Sequence, residues 1–178
     1  MNDFTYYMPT RVFWGEGCLA RRGDAISRFG TRALVVTGKT SARVSGAMDD
    51  IAGALGRNGI PFAVFDEVEA NPSIETARRA GAAARSFDAD FILAAGGGSP
   101  LDAGKAAAVL AGNECADDDL FSGNFSNPVL PVIAIPTTAG TGSEATPYSI
   151  LTDTVKKTKR NLKSDRLFPG SGLPEKQL

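Results

Sequence analysis

The sequence predicts an α/β domain built on a parallel sheet covered by helices on both faces, and three observations carry that prediction. Short apolar runs of strand length alternate with longer, alanine-rich stretches of helical spacing. Loops rich in glycine and threonine follow two of those runs directly, where such sheets bind their ligands. The 178 residues suffice for one substantial domain of this type and are too few for two.

The elements follow in order. Residues 33–37 form a β-branched and apolar run that stops at Gly38, as a buried strand does. Over 44–58, Val44, Met48, Ile51, Ala52 and Leu55 keep helical spacing, and Gly59 and Pro61 end the pattern. Residues 62–65 read as a second strand. A second helix, 73–87, opens at Asn71-Pro72-Ser73. Residues 91–95 are a third strand and 102–111 a third helix. Residues 129–135 are a fourth strand region, with Pro131 marking its beginning. Beyond Ile150 the pattern weakens. Lys156 to Arg160 reads as a solvated basic face, and 168–178 is turn-rich without periodicity.

Composition removes several functions. A net charge of −1 gives no reason to expect nucleic acid or an anionic membrane as partner. The start, Met1 to Gly15, is mixed and polar, so no secretory leader is expected; no apolar window approaches bilayer length, and a cytoplasmic protein is expected. Two cysteines make no disulfide framework. The chain has no histidine, which excludes any site built on histidine ligation or a Ser-His pair. Asp117-Asp118-Asp119 reads as an acidic solvated turn, since consecutive carboxylates point in different directions.

Chemistry concentrates at the strand ends. Gly96-Gly97-Gly98-Ser99-Pro100-Leu101-Asp102 follows the third strand. Glycines let a ligand approach the backbone closely. Ser99 is expected as the helix N-cap, Pro100 as the first helical residue and Asp102 as the capping-box acid. Free N–H groups there would seat a pyrophosphate, the alternative being a tight turn with no ligand. Neither common phosphate motif fits: Leu101 stands where a dinucleotide fingerprint needs glycine, and Ala33 where a P-loop before Gly38-Lys39-Thr40 does. The fourth strand runs into Pro136-Thr137-Thr138-Ala139-Gly140-Thr141-Gly142-Ser143-Glu144, which can offer many donors to phosphate or ribose oxygens. The first strand ends at Gly38-Lys39-Thr40. Without an acid there, a 2′-phosphate is accommodated, favouring NADP over NAD, unless Lys39 is a plain surface charge.

Taken together, these segments resemble the iron-containing (group III) alcohol dehydrogenases, whose relatives include glycerol dehydrogenases and dehydroquinate synthases. The resemblance rests on Phe13-Trp14-Gly15, Val36-Thr37-Gly38-Lys39, Glu69-Ala70-Asn71-Pro72, the glycine turn with Lys105, and Ile135 through Glu144. It continues through Thr146, Ser149-Ile150 and Thr152-Asp153. It implies a Rossmann-like, dehydroquinate-synthase-like domain over residues 1–168, an irregular tail over 169–178, and in the family a helical domain beyond. It implies a nicotinamide dinucleotide, NADP on the reading of Gly38 above with NAD possible, for hydride transfer between nicotinamide and a primary alcohol or aldehyde. Gly96, Gly97, Gly98, Ser99 and Asp102 would hold the pyrophosphate region, and Thr137, Thr138, Thr141 and Ser143 would lie along the nucleotide. Gly38, Lys39 and Thr40 would tune the cofactor, and Asn71 would lie on the adenosine side. Tyr148, Ser149, Ile150 and Lys159 would lie near the nicotinamide ribose.

The family's iron or zinc is held by an aspartate and three histidines in the helical domain, and none of these ligands is assignable here. The closing residues 170–178 are expected to be an altered end, as from a frameshift or a shortened gene, leaving the chain inactive alone. A homodimer is expected. Two alternatives stay open: a non-catalytic nucleotide-binding module that works with a partner chain, and a glycerol dehydrogenase or dehydroquinate synthase relative.

Overall fold

In the computed structural model, residues 3–170 are described. Strand β1, Ala33–Gly38, is buried along its whole length, as is β3, Phe91–Gly96. With β2, Phe62–Val68, and β4, Val132–Pro136, they form one parallel sheet in the order β2-β1-β3-β4. The sheet places β1 and β3 side by side while their connections leave in opposite directions. This is the switch point at whose carboxyl ends parallel sheets bind ligands. The register pairs Thr37 with Ala95 and Gly96 with Pro136, so all three loops named above emerge along one edge.

Alternation along the strands splits the core in two. Ala33, Val35, Phe91, Leu93 and Ala95 pack with Ile51 and Leu55 of helix α3, Ala47–Arg57. On the opposite face, Leu34, Val36 and Ile92 pack with alanines of α4, Ile74–Ser86, and α5, Gly98–Gly112. Both faces are therefore covered, as the near-continuous apolar strands require. The alanine richness has a steric reason. A Cβ on Gly104 would lie 2.6 Å from the Ala94 Cβ, and one on Gly81 would lie 2.8 Å from the Leu110 Cβ. Helix α5 thus lies against both the sheet and α4 with no room for larger side chains.

Four sequence expectations are corrected. The helix expected from Val44 is two pieces. A short α2, Ser41–Val44, precedes a turn through Gly46 at φ 77°, and α3 begins at Ala47. Val44 is 87% exposed, so its apolar spacing with Met48 is coincidental. Helix α5 starts four residues earlier than expected, running directly out of the glycine turn. The region after Ile150 is ordered: β5, Tyr148–Asp153, and β6, Thr158–Lys163, form an antiparallel hairpin. The hairpin covers a third apolar cluster with Leu151 and Leu162 against Ile74, Ala106 and Val109. Leu120 of α6, Asp117–Ser122, joins that cluster, so the acidic turn is a short helix with Asp118 outside. Four small elements complete the fold: α1 at Cys18–Arg22 and 3₁₀ turns at Gly23–Arg28, Ser143–Ala145 and Asp165–Leu167. Among the described residues, no helix is long and apolar enough to cross a membrane. Most of the expected irregular tail lies outside them.

Candidate functional site

At the end of β3, Gly96 has φ 142°, a conformation that residues with a side chain rarely adopt. It redirects the chain so sharply that Gly97 becomes the N-cap and Gly98 the first helical residue, with no side-chain cap. The capping expectations for Ser99 and Asp102 are therefore corrected. The Ser99 hydroxyl accepts the Asn71 N–H at 3.1 Å. The Asp102 carboxylate accepts from the Ser143 hydroxyl at 2.7 Å and from the Ile150 N–H at 3.1 Å. Helix geometry leaves the N–H groups of Gly98 and Ser99 ahead of any intrahelical acceptor, and Pro100 has none to satisfy. A 15-residue helix then adds its positive end at the same point.

The two loops meet where the glycines lack side chains. A Cβ on Gly97 would lie 3.3 Å from the Thr138 Oγ1, and one on Gly98 would lie 2.9 Å from the Thr141 Cγ2. Thr137 donates its N–H to the Gly96 carbonyl at 2.9 Å. Gly38 is buried beside them, and a Cβ there would lie 3.3 Å from the Val68 carbonyl oxygen and 3.9 Å from the Pro100 ring. Lys39 and Thr40 are exposed. Gly38, Gly96, Gly97, Thr137 and Thr138 thus make a strip along the strand ends.

Beside the strip lies a cleft of about 550 Å³, within the range of small-molecule sites. Of the expected site residues, Asn71, Gly98, Ser99, Asp102, Thr141, Ser143, Tyr148, Ile150 and Lys159 line it. Ser149 does not: it is fully buried, and its hydroxyl donates to the Asp102 carbonyl at 2.7 Å. Sequence reasoning missed Pro72, Thr146, Thr152 and Asn161 as lining residues. The available signal was period-two alternation in β5, but its polarity is inverted. Ser149 and Asp153 point inward, while Tyr148 and Ile150 face the cleft.

One wall of the cleft is tied together by polar contacts around Asn71. Lys159 donates to the Asn71 Oδ1 at 2.8 Å, and the Thr152 hydroxyl donates to the Asn71 carbonyl at 3.0 Å. Asn71 holds a left-handed conformation at φ 55°. The resemblance put Asn71 on the adenosine side and Lys159 near the nicotinamide ribose; in the structure their side chains are in direct contact.

Beneath the floor lies Lys105, fully buried. Its three ammonium hydrogens are shared among four acceptors: the carbonyls of Ser143 at 2.5 Å, Thr146 at 2.8 Å and Tyr148 at 2.8 Å, and the Ser143 hydroxyl at 2.9 Å. Burial pulls the Lys105 pKa down to about 8 against the opposing charges of Asp102 and Glu144. Burial also raises the Asp102 pKa, opposed by the Ser143 hydroxyl, the Ile150 amide and Lys105. The site offers amide, hydroxyl and ammonium donors for a polyanionic, sugar-bearing ligand. Among the described residues, no group of three or more His, Cys, Asp or Glu side chains is placed to hold a metal ion.

The sequence matches the family model "Iron-containing alcohol dehydrogenase" over residues 9–172. It is 36% identical to the 1,3-propanediol dehydrogenase of Klebsiella pneumoniae over 96% of this chain and 45% of that protein. An iron-containing alcohol dehydrogenase structure from Thermotoga maritima superposes with a TM-score of 0.85 at 46% identity, covering 94% of this chain and 46% of that one. The sulfoacetaldehyde reductase of Bifidobacterium kashiwanohense, solved with NAD+, superposes with a TM-score of 0.83 at 31% identity, covering 95% and 45%. The chain spans about half the length of the curated relatives it matches.

Proposed function

The chain belongs to the iron-containing alcohol dehydrogenase family, and from that premise we propose that its cleft and strand-end strip hold a nicotinamide dinucleotide. The reaction served is hydride transfer between that cofactor and a small primary alcohol or aldehyde. One observation carries the reading: two glycine- and threonine-rich loops pack against each other at the N-terminus of a long helix, whose first N–H groups lack intrahelical acceptors, beside a cleft lined by Gly98, Ser99 and Thr141. That arrangement suits a pyrophosphate.

The layout follows from the sheet. The adenosine end lies at β1, where Gly38 presents no carboxylate to a 2′-phosphate, and this supports NADP with NAD also accepted. The pyrophosphate lies on Gly96–Ser99 along Thr138 and Thr141. The nicotinamide end lies toward Tyr148 and Ile150, whose apolar surfaces suit a flat ring, with Asn71 and Lys159 closing the cleft around its ribose. These residues bind and orient the cofactor, the share of catalysis that comes from holding reacting atoms in line. Residues 1–168 form the nucleotide-binding unit in this reading. The iron in the family's name finds no fitting ligand set: the chain has no histidine, and no described carboxylate or thiol cluster replaces it. No step is therefore assigned to a metal here. Exposed Phe4, Tyr6, Tyr7 and Trp14 on the N-terminal segment support pairing of two copies.

Amide chemical shifts recorded while NADP+ is added test the reading. It expects the largest changes at residues 96–99, 137–143 and 148–150. Changes confined to the arginine-lined face at Arg78, Arg79 and Arg85 would overturn it.

A further inference from the structure

Burying an ammonium is costly unless its hydrogens are matched, and an apolar side chain usually fills such a space at lower cost. Lys105 keeps its charge in a place without exposed surface, and what the charge achieves there is specific. Three main-chain carbonyls from the six residues 143–148 are drawn to one point. That segment has only a single 3₁₀ turn, Ser143–Ala145, as regular structure of its own before β5 begins. It also carries Ser143, Thr146 and Tyr148 into the wall of the cleft. The anchor continues one step further: the Ser143 hydroxyl receives a Lys105 N–H and passes its own proton toward Asp102, whose other oxygen holds the Ile150 N–H.

We propose that Lys105 is a positioning residue that sets the shape of the cleft wall at residues 143–150, and so makes the site select a whole dinucleotide over its ADP-ribose part. The proposal rests on the reading of the cleft as a dinucleotide site with the nicotinamide at the hairpin end. Lys105 touches no ligand itself; it acts through the main chain that Thr146, Tyr148 and Ile150 ride on. The charged groups facing it are Asp102 on its own helix and Glu144 on the loop above, while β5 presents the Tyr148 carbonyl. A pKa of about 8 means that the ammonium loses a proton in mildly alkaline solution. A neutral amine has only two N–H groups and turns a lone pair toward a carbonyl, which loosens the wall.

The test is calorimetric titration of the 178-residue chain and its Lys105→Met variant with NADH and with ADP-ribose, which share every group except the nicotinamide. Lys105→Met is expected to weaken NADH roughly tenfold or more and to leave ADP-ribose within about twofold. Unchanged NADH affinity overturns the proposal, and so does an equal loss for both ligands, which marks a general scaffold role. Should the variant fail to fold, the wild-type chain decides. Its preference for NADH over ADP-ribose falls several-fold between about pH 7 and about pH 9.5 if Lys105 sets the wall, and stays constant if it does not. A wild-type chain that binds neither ligand at any pH removes the cofactor reading itself, and the proposal with it.

Discussion

Gly38 illustrates how little a single residue needs to contribute for its identity to matter. It is buried at the end of β1, and its role in the cofactor reading is the carboxylate it lacks. Gly38→Asp is therefore expected to weaken NADPH about tenfold or more, close to 1.4 kcal/mol, while NADH binding is retained. Equal losses for both cofactors would place the 2′ position elsewhere. Asp90 makes a prediction about stability. Partial burial draws its pKa upward, but N–H groups of Arg32 and Thr31 and the Thr31 hydroxyl outweigh that, and the net pKa is lowered. A depressed carboxylate contributes stability that is present above its unfolded pKa, about 3.9, and is lost as pH falls through the folded value. Asp90→Asn is expected to melt lower than wild type near neutrality, with the gap closing below about pH 4. A constant gap across that range would contradict the assignment. At this scale the sequence showed which residues gather at the strand ends, because glycine and threonine runs there have few other uses. It did not show Lys105 as a floor, since burial of a lysine depends on carbonyls 38 to 43 residues away.

At the scale of elements, α5 decides the geometry of the site. Its N-terminus meets the glycine turn, its middle supports Lys105, and its body presses on β3 and α4 with almost no exposed residue between Pro100 and Leu110. The closest approach is at Gly104, where a Cβ would lie 2.6 Å from the Ala94 Cβ and 3.5 Å from the Ile92 Cγ2. Gly104→Val overpacks this contact, at an expected cost of about 2–3 kcal/mol and a melting temperature lower by roughly 5–10 °C. An unchanged melting temperature would mean that the helix can step away from the sheet freely. The four strands and the long helices were legible because buried parallel strands and alanine-rich helices have distinct periods. The start of α5 was not, because Ser99 and Pro100 imitate a cap where the Gly96 conformation starts the helix earlier. The β5–β6 hairpin was not either. Its buried positions include Ser149 and Asp153 and its cleft-facing ones include Tyr148 and Ile150, which reverses the usual amphipathic signal.

At the scale of the whole fold, a switch-point crevice stands in a chain without histidine. The proposed reading separates cofactor holding, assigned to this cleft, from metal chemistry, for which the described residues present no ligand set. The purified 178-residue chain is expected to bind dinucleotide and to show no alcohol-dependent reduction of NADP+ even when iron or zinc is supplied; detectable turnover would contradict that separation. The most direct test of the central claim is a titration of this chain with NADPH and with NADH, followed by nucleotide fluorescence. Saturable binding of both, with NADPH tighter, is the result the cofactor reading predicts. Absence of saturable binding for either would contradict it.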